Sequence, residues 1–272
     1  MVGRLLSMAT VATIGFGSKV FLKFGAASVT VNGLPTLLQA LKSDERERGR
    51  GIITVSNHIS TCDDPLAWGV LPASHYFSSR TTRWTLGASE VMFTNRFFST
   101  FFRLGQTIET FRGKGICQPA VDIAIGKLNQ GSWLHLYSEG RVCQPNTYAR
   151  DPDGNATLSR FKWGVGRIVM EADIPPVIIP VWLTGFDQVM PEGRPFPYNF
   201  MPRLGANISV SFGDPLTPDQ ARNAIDYGAD VGDDLRHSPS KAEVDRVRSE
   251  ITDRIRTSVI ALGRKVSGPS LS

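Results

Sequence analysis

Gly51-Ile-Ile-Thr-Val-Ser56-Asn57-His58-Ile-Ser-Thr-Cys-Asp63-Asp64-Pro65 opens as a strand and closes as the start of a helix. Residues 51–56 are short, β-branched and bounded by turn formers, the pattern of a buried strand. Asp64-Pro65 sets an acidic cap before a proline at the first helical position, so Leu66 to Val70 is expected to follow as helix. His58 is thereby delivered to the carboxyl end of a strand. Asp63 follows five residues on, near enough for a tight turn to bring its carboxylate to one imidazole nitrogen. That contact would fix the tautomer, stabilise the imidazolium and leave the other nitrogen free as a general base. It is the His–Asp half of a hydrolase triad, with a substrate hydroxyl in place of the serine. Other readings stand beside it. Asp64 could serve only as a helix cap. Ser56 or Ser60 could act as nucleophile, although no G-x-S-x-G elbow surrounds either. A metal could sit on His58, Cys62 and Asp63, although no second His is near.

Outward from this stretch, strands and helices alternate. Ile108 to Phe111, Ser132 to Tyr137, Pro176 to Leu183 and Asn207 to Phe212 read as strands, the third tolerating its prolines near an edge. Pro119 to Asn129 and Arg160 to Ala172 read as helices, and Pro145 to Ser159 as a surface loop. Lys241 to Leu262 is a closing amphipathic helix, with Val244, Val247, Ile251, Ile255 and Val259 on one stripe. The alternation indicates an α/β sandwich in a single domain. Within it, 1–42 is taken as a membrane-anchoring segment, 51–213 as the core and 214–272 as a carboxy-terminal extension.

The chain has 272 residues, 41% of them apolar and 20% charged, as in an ordinary globular protein. Its formal charge of +5 is unevenly spread: up to Lys42 four basic residues meet no acidic one, whereas Asp214 to Asp234 holds six Asp and one Arg. Basic surface beside apolar segments suits anionic lipid or nucleic acid, and no nucleic-acid motif accompanies it, so lipid is favoured. Cys62, Cys117 and Cys143 match neither a disulfide framework nor a zinc spacing. Leu5 to Gly17 is apolar and uncharged, then turns amphipathic around Lys19 and Lys23. It falls short of the roughly 20 apolar residues of a spanning helix. An interfacial anchor is expected, with Phe16, Phe21 and Phe24 in the lipid and the two lysines reaching the headgroups. A buried helix of the fold and a signal peptide are the alternatives. Phe93, Phe97, Phe98, Phe101 and Phe102 form a second aromatic stripe, with Arg96 and Arg103 among them, that suits core and lipid interface equally.

The gap between His58 and Asp63 resembles the signature of the glycerolipid acyltransferase superfamily, and three more of its motifs follow in order. Ile108-Glu-Thr-Phe-Arg112-Gly113 is similar to the second, whose Arg contacts the acceptor's phosphate. Tyr137-Ser138-Glu139-Gly140-Arg141 is similar to the third, also at the headgroup site, with Ser138 where Pro is usual. Ile174-Pro-Pro-Val-Ile-Ile-Pro180 is similar to the fourth, near the acyl channel. The resemblance implies a mixed sheet flanked by helices, catalysis by His58 and Asp63, and substrate contacts from Arg112, Gly113, Ser138, Glu139, Gly140 and Arg141. A planar guanidinium suits phosphate, Gly140 admits close backbone approach, and Glu139 would accept from a glycerol hydroxyl or orient Arg112. Backbone N–H groups near Asp64 would stabilise the oxyanion.

Within the superfamily, Ser56 to Gly69 (SNHISTCDDPLAWG), Arg83-Trp84-Thr and Arg160 to Arg167 (RFKWGVGR) resemble phospholipid–lysophospholipid transacylases that remodel cardiolipin. This implies phospholipid and lysophospholipid substrates, an anionic, cardiolipin-rich membrane surface, and no CoA, metal or other cofactor. It also implies mitochondrial membranes on the intermembrane-space side. An acyl-CoA-dependent lysophospholipid or lysophosphatidic acid acyltransferase and a catalytically silent membrane-binding module are the rival readings.

Overall fold

The structure, a computed structural model, describes residues 2–216 and 240–272. Most of the acidic stretch from Asp214 to Asp234 lies outside the described residues. In chain order the helices are α1 (Val2–Phe24), α2 (Leu34–Lys42), α3 (Asp63–Ala67), α4 (Ser89–Met92), α5 (Arg96–Leu104), α6 (Pro119–Asn129), α7 (Gly164–Met170), α8 (Phe186–Val189) and α9 (Lys241–Ser267). The strands are β1 (Ser28–Asn32), β2 (Ile52–Ser56), β3 (Trp84–Ala88), β4 (Thr107–Thr110), β5 (Trp133–Tyr137), β6 (Ala149–Arg150), β7 (Ala156–Thr157), β8 (Val177–Thr184) and β9 (Asn207–Phe212).

A seven-stranded sheet runs in the order β1-β9-β8-β2-β5-β3-β4, and β6 and β7 form a small separate hairpin. From β8 to β4 the strands are parallel; β9 is antiparallel to β8, and β1 follows β9. The sheet is therefore mixed, with helices on both faces. Side chains alternate between two cores, as strand geometry requires. On β2, Ile53 and Val55 point to the layer of α6, α7 and α9, where they meet Ala124, Ile168, Ile255 and Val259. Ile52 points the other way, to a layer built from α1, α2 and the segment after His58, with Leu22, Leu37, Trp68 and Tyr76.

Several expectations shift. Residues 28–42, grouped with the membrane segment above, supply strand β1 and a helix whose Leu37 and Leu41 are buried in the core. Strand β8 is interior, between β9 and β2, in spite of Pro180. Its missing N–H falls just where β9 has ended: the Phe212 pairing is with Val181, and only the Gly213 N–H still reaches the Pro180 carbonyl, at 2.9 Å. The helix expected over 160–172 begins at Gly164, because the Lys162 N–H is taken by the Ser138 carbonyl at 2.7 Å. Between α2 and β2, the charged residues Asp44–Arg48 form a short 3-10 turn whose Arg46 is buried, donating to the carbonyls of Gly131, Leu41 and Arg80.

Helix α1 joins what were offered as alternatives. Val11, Ala12, Gly15, Ser18 and Leu22, at helical spacing, are buried against the domain. Leu5, Leu6, Phe16, Val20 and Phe24 are exposed. It is also the one helix among the described residues long and apolar enough to cross a membrane. Lys19 does not reach outward: its Nζ donates to the Gly69 carbonyl at 3.0 Å. Phe21 is half-buried against the core.

Candidate active site

The residues singled out by motif gather at one edge of the sheet, because β2, β5, β3 and β4 run parallel and each motif follows the carboxyl end of its strand. His58 follows β2. Tyr137 to Arg141 ends and follows β5, next to β2, and Arg112 and Gly113 follow β4, three strands away. At the usual strand spacing that is about 14 Å across the edge.

The turn after β2 is built around one carboxylate oxygen. Asp63 is fully buried, and its Oδ2 accepts from His58 Nδ1 at 2.9 Å, the Ile59 N–H at 2.6 Å and the Ser60 N–H at 2.9 Å. Two backbone donors thus fix the carboxylate that in turn fixes the imidazole. Burial pushes the Asp63 carboxyl up from its ordinary range, while the His58 contact and the two N–H groups oppose that push. Nδ1–H donates inward, so Nε2 holds the lone pair. The His58 ring lies 4.3 Å from that of Tyr137, centroid to centroid, and its side chain is only partly exposed.

The loop after β5 grips this turn by its backbone. Glu139 Oε1 accepts the His58 N–H at 3.2 Å, the Cys143 N–H reaches the His58 carbonyl at 2.6 Å, and Gln144 Nε2 reaches the Ile59 carbonyl at 3.3 Å. Glu139 therefore positions His58 and does not orient Arg112. Its other oxygen is buried with no hydrogen bond, and burial raises its carboxyl. Gly140 turns the loop at φ 75°, where any side chain would also press on Lys162. Ser138 is buried, its Oγ without a hydrogen bond, while Arg141 is exposed. Arg112 is exposed and pairs with Glu90 at 3.1 Å; Gly113 beside it is open, at φ 78°.

Ser56 Oγ is buried and donates to the Asn57 carbonyl at 2.8 Å, and Ser60 is buried, its Oγ accepting from Cys62 N–H at 3.1 Å, so neither is placed as a nucleophile. Among the described residues no cluster of His, Cys, Asp and Glu is arranged for a metal. Asp64 is not the helix cap, since α3 starts at Asp63 after Cys62 and has no side-chain cap bond: its carboxylate takes Arg83 Nε at 2.9 Å, a second contact from the same guanidinium, and Trp68 Nε1 at 3.2 Å. The N–H groups of Ile59, Ser60, Cys62 and Asp63 are all committed within the turn, so those four are not the oxyanion donors expected near Asp64.

Sequence reading missed the layer beneath. Trp133 Nε1 donates to Thr54 Oγ1 at 2.8 Å, and that hydroxyl lies 2.8 Å from His135 Nδ1. His135 Nε2 lies 3.2 Å from Ser56 Oγ. The chain is satisfied with His135 protonated on Nε2 alone, and burial keeps it neutral by pushing its pKa down to about 3. A buried apolar strand with one His inside it, Trp133-Leu-His135-Leu-Tyr137, was the available signal for it. Of the proposed lipid-facing aromatics, Phe97, Phe98 and Phe101 are exposed on α5, whereas Phe93 is half-buried against Phe102 with the Arg103 guanidinium over its ring.

A recess of about 510 Å³ beside Asn32, Asp187, Asn207 and Ser267, at the β1–β9 end, holds none of the motif residues. The acyltransferase family model matches residues 37–184, more than half of the chain. The tafazzin of Dictyostelium discoideum is 35% identical over 80% of this chain and 72% of its own length. That of Saccharomyces cerevisiae is 34% identical over 79% of this chain and 64% of its own. The N-acylphosphatidylethanolamine synthase of Arabidopsis thaliana is 34% identical over 69% and 62%. Among solved structures, the LPA acyltransferase PlsC from Thermotoga maritima superposes with a TM-score of 0.52 at 18% identity, over 94% of this chain and 79% of that one, which shows a common fold.

Proposed function

Because the chain belongs to the acyltransferase family, in its tafazzin group, and acts on phospholipids, we propose that it moves acyl groups directly from one phospholipid to a lysophospholipid, without CoA, and so remodels cardiolipin. The observation that carries the chemistry is the Asp63–His58 pair, with Nδ1 bound and Nε2 presented, at an edge where Ser56 and Ser60 are already engaged. The nucleophile is then the acceptor's own hydroxyl. His58 Nε2 takes the proton as that oxygen attacks the carbonyl carbon of a donor ester. The tetrahedral intermediate collapses with cleavage of the bond to the donor's glycerol oxygen, which recovers the proton from Nε2. Asp63 stabilises the imidazolium between the two transfers. One ester bond forms for each broken, so no external energy source is needed.

Arg112, about 14 Å from His58 along the edge, is assigned the acceptor's phosphate, and its exchangeable partner Glu90 would be displaced. Gly113, Ser138, Gly140 and Arg141 complete the headgroup side, and Glu139 acts through His58. The exposed faces of α1 and α5 are assigned to the membrane, and the intermembrane-space side of mitochondrial membranes is the location we infer for it.

The test is acyl exchange between labelled phosphatidylcholine and monolysocardiolipin in vesicles without CoA. Transfer by the wild type and none by His58→Ala supports both the donor and the base. Transfer that starts only when acyl-CoA is added moves the protein to the CoA-dependent branch, and equal transfer by both chains refutes the mechanism.

A further inference from the structure

We propose that residues 195–204, between α8 and β9, form a second lipid-contact surface that seats an anionic phospholipid bilayer on the β8 side of His58. The excursion starts and ends at the reactive edge, since β8 arrives there and β9, antiparallel, departs from there. Its tip is greasy and open: Phe196 is 81% exposed, Phe200 72% and Leu204 72%. Exposure on this scale over a few consecutive residues marks an interaction surface. The loop is nonetheless anchored. The Arg203 N–H closes it onto the Val189 carbonyl at 2.8 Å, and Gln144 holds its root, donating to the Met190 carbonyl at 3.1 Å and accepting the Glu192 N–H at 3.2 Å. The same Gln144 amide reaches the Ile59 carbonyl, so the loop and the residue after His58 share one side chain.

Two observations identify the occupant as lipid. The first is continuity with α1. The Gly205 N–H donates to the Gly25 carbonyl at 2.7 Å and the Ala27 N–H to the Ala206 carbonyl at 2.9 Å, which sets Leu204 beside the end of that helix, where Phe24 is 72% exposed. The second is charge. Lys23 lies over the Phe24 ring and Arg203 ends the tip, neither with an ion-pair partner among the described residues, while Arg194 at its start is half-buried and donates to the Pro191 carbonyl. Cations beside exposed phenyl rings match the headgroup and acyl layers of an anionic membrane. On the opposite flank, exposed Phe111 stands beside Arg112. The reacting edge is thus flanked on both sides, by the 195–204 loop after β8 and by Phe111 after β4, with His58 following β2 between them.

This rests on the reading that the substrate is a membrane phospholipid, and the experiment separates the two. In the full chain, Phe200→Trp adds one fluorophore, read as the difference from the parent protein on vesicles of phosphatidylcholine with cardiolipin. Blue-shifted emission, quenched by brominated acyl chains and shielded from acrylamide, is the expected result. Co-flotation with a residue 200 that stays open to acrylamide and unquenched overturns the proposal. Phe196→Ser/Phe200→Ser is expected to lower the partition onto these vesicles by about tenfold or more, with unchanged thermal melting. Wild-type partition by that variant overturns the proposal as well; should it fail to fold, the tryptophan measurement decides. Insertion without acyl transfer would sink the transacylase reading and spare the loop, whereas transfer without insertion would do the reverse.

Discussion

Replacing Asp63 by Asn isolates the charge of the pair from its geometry. The Ile59 and Ser60 N–H groups both point at the Oδ2 position, so the amide must place its oxygen there and its NH2 where Oδ1 lies buried without a partner. The oxygen still accepts from His58 Nδ1, and the productive tautomer survives. In serine proteases the same exchange costs about 10⁴ in kcat because the tautomer is wrong. Here only the attraction between carboxylate and imidazolium is lost, about 4 kcal/mol at 4 Å and an effective dielectric of 20. Discounted for the amide dipole that remains, the loss becomes about 2–4 kcal/mol, or roughly 30- to 1000-fold in kcat. Asp63→Ala removes the acceptor altogether and strands two buried N–H groups at about 1–3 kcal/mol each, so it should cost roughly 2–6 kcal/mol of folding stability. Vesicle transfer rates and urea denaturation measure the two quantities. An Asp63→Asn protein with more than about a third of wild-type kcat, or an Asp63→Ala protein as stable as wild type, would refute the reasoning.

Asp64→Asn should cost about 3–5 kcal/mol by leaving the Arg83 guanidinium buried and uncompensated, and Arg83→Met in the same chain should restore much of it; thermal melts of the single and double variants decide. Acid should destabilise the fold in two windows, read by urea titration at stepped pH. Burial holds the folded His135 pKa at about 3, so its contribution fades as pH falls from about 6.5, where the unfolded imidazole protonates, toward 3. Burial pushes Asp64 up, but the Arg83 charge outweighs it and holds the carboxyl low, so its contribution is present above the ordinary carboxylate range and lost as pH falls through the depressed folded value. Glu139→Ala strands the His58 N–H and should lower kcat with little change in KM, whereas Glu139→Gln, which keeps the acceptor, should recover most of it; equal kinetics for the two would count against a positioning role. Gly15→Val should unseat α1, because its new carbon would stand 2.8 Å from the Tyr76 ring, at about 1–3 kcal/mol and with faster proteolysis of the first 24 residues.

What was legible in the sequence was local. His58 and Asp63 are five residues apart, and one turn joins them; β2 and β5 carry compact apolar runs and β9 a clear alternation, and these announce themselves. Strand β1 was passed over for another reason: Ser28-Val-Thr-Val-Asn32 does alternate, but it is a short run at the sheet's edge with all five residues exposed, and it follows directly on the apolar segment with which it was grouped. Strand β3 is only five residues with Gly87 inside, too short and interrupted to stand out. The support of the site was hidden by separation along the chain. Glu139 meets His58 across 81 residues, and Arg83 meets Asp64 across 19. Only folding reveals that a carboxylate taken for a headgroup ligand is spent on a backbone N–H. Lys19 was misjudged likewise, since nothing in an amphipathic pattern distinguishes a lipid headgroup from the Gly69 carbonyl as its partner.

The double duty of α1 has a practical consequence. Its inner stripe covers Tyr76, Trp68 and Leu71, so a version shortened at Gly25 in search of a detergent-free enzyme would not be a trimmed protein but a wounded one. The raw surface left behind would seek another apolar cover, in another copy or a micelle. Solubility is better sought by recolouring the outer side, with polar replacements at Leu5, Leu6 and Val20, which leaves the helix in its seat.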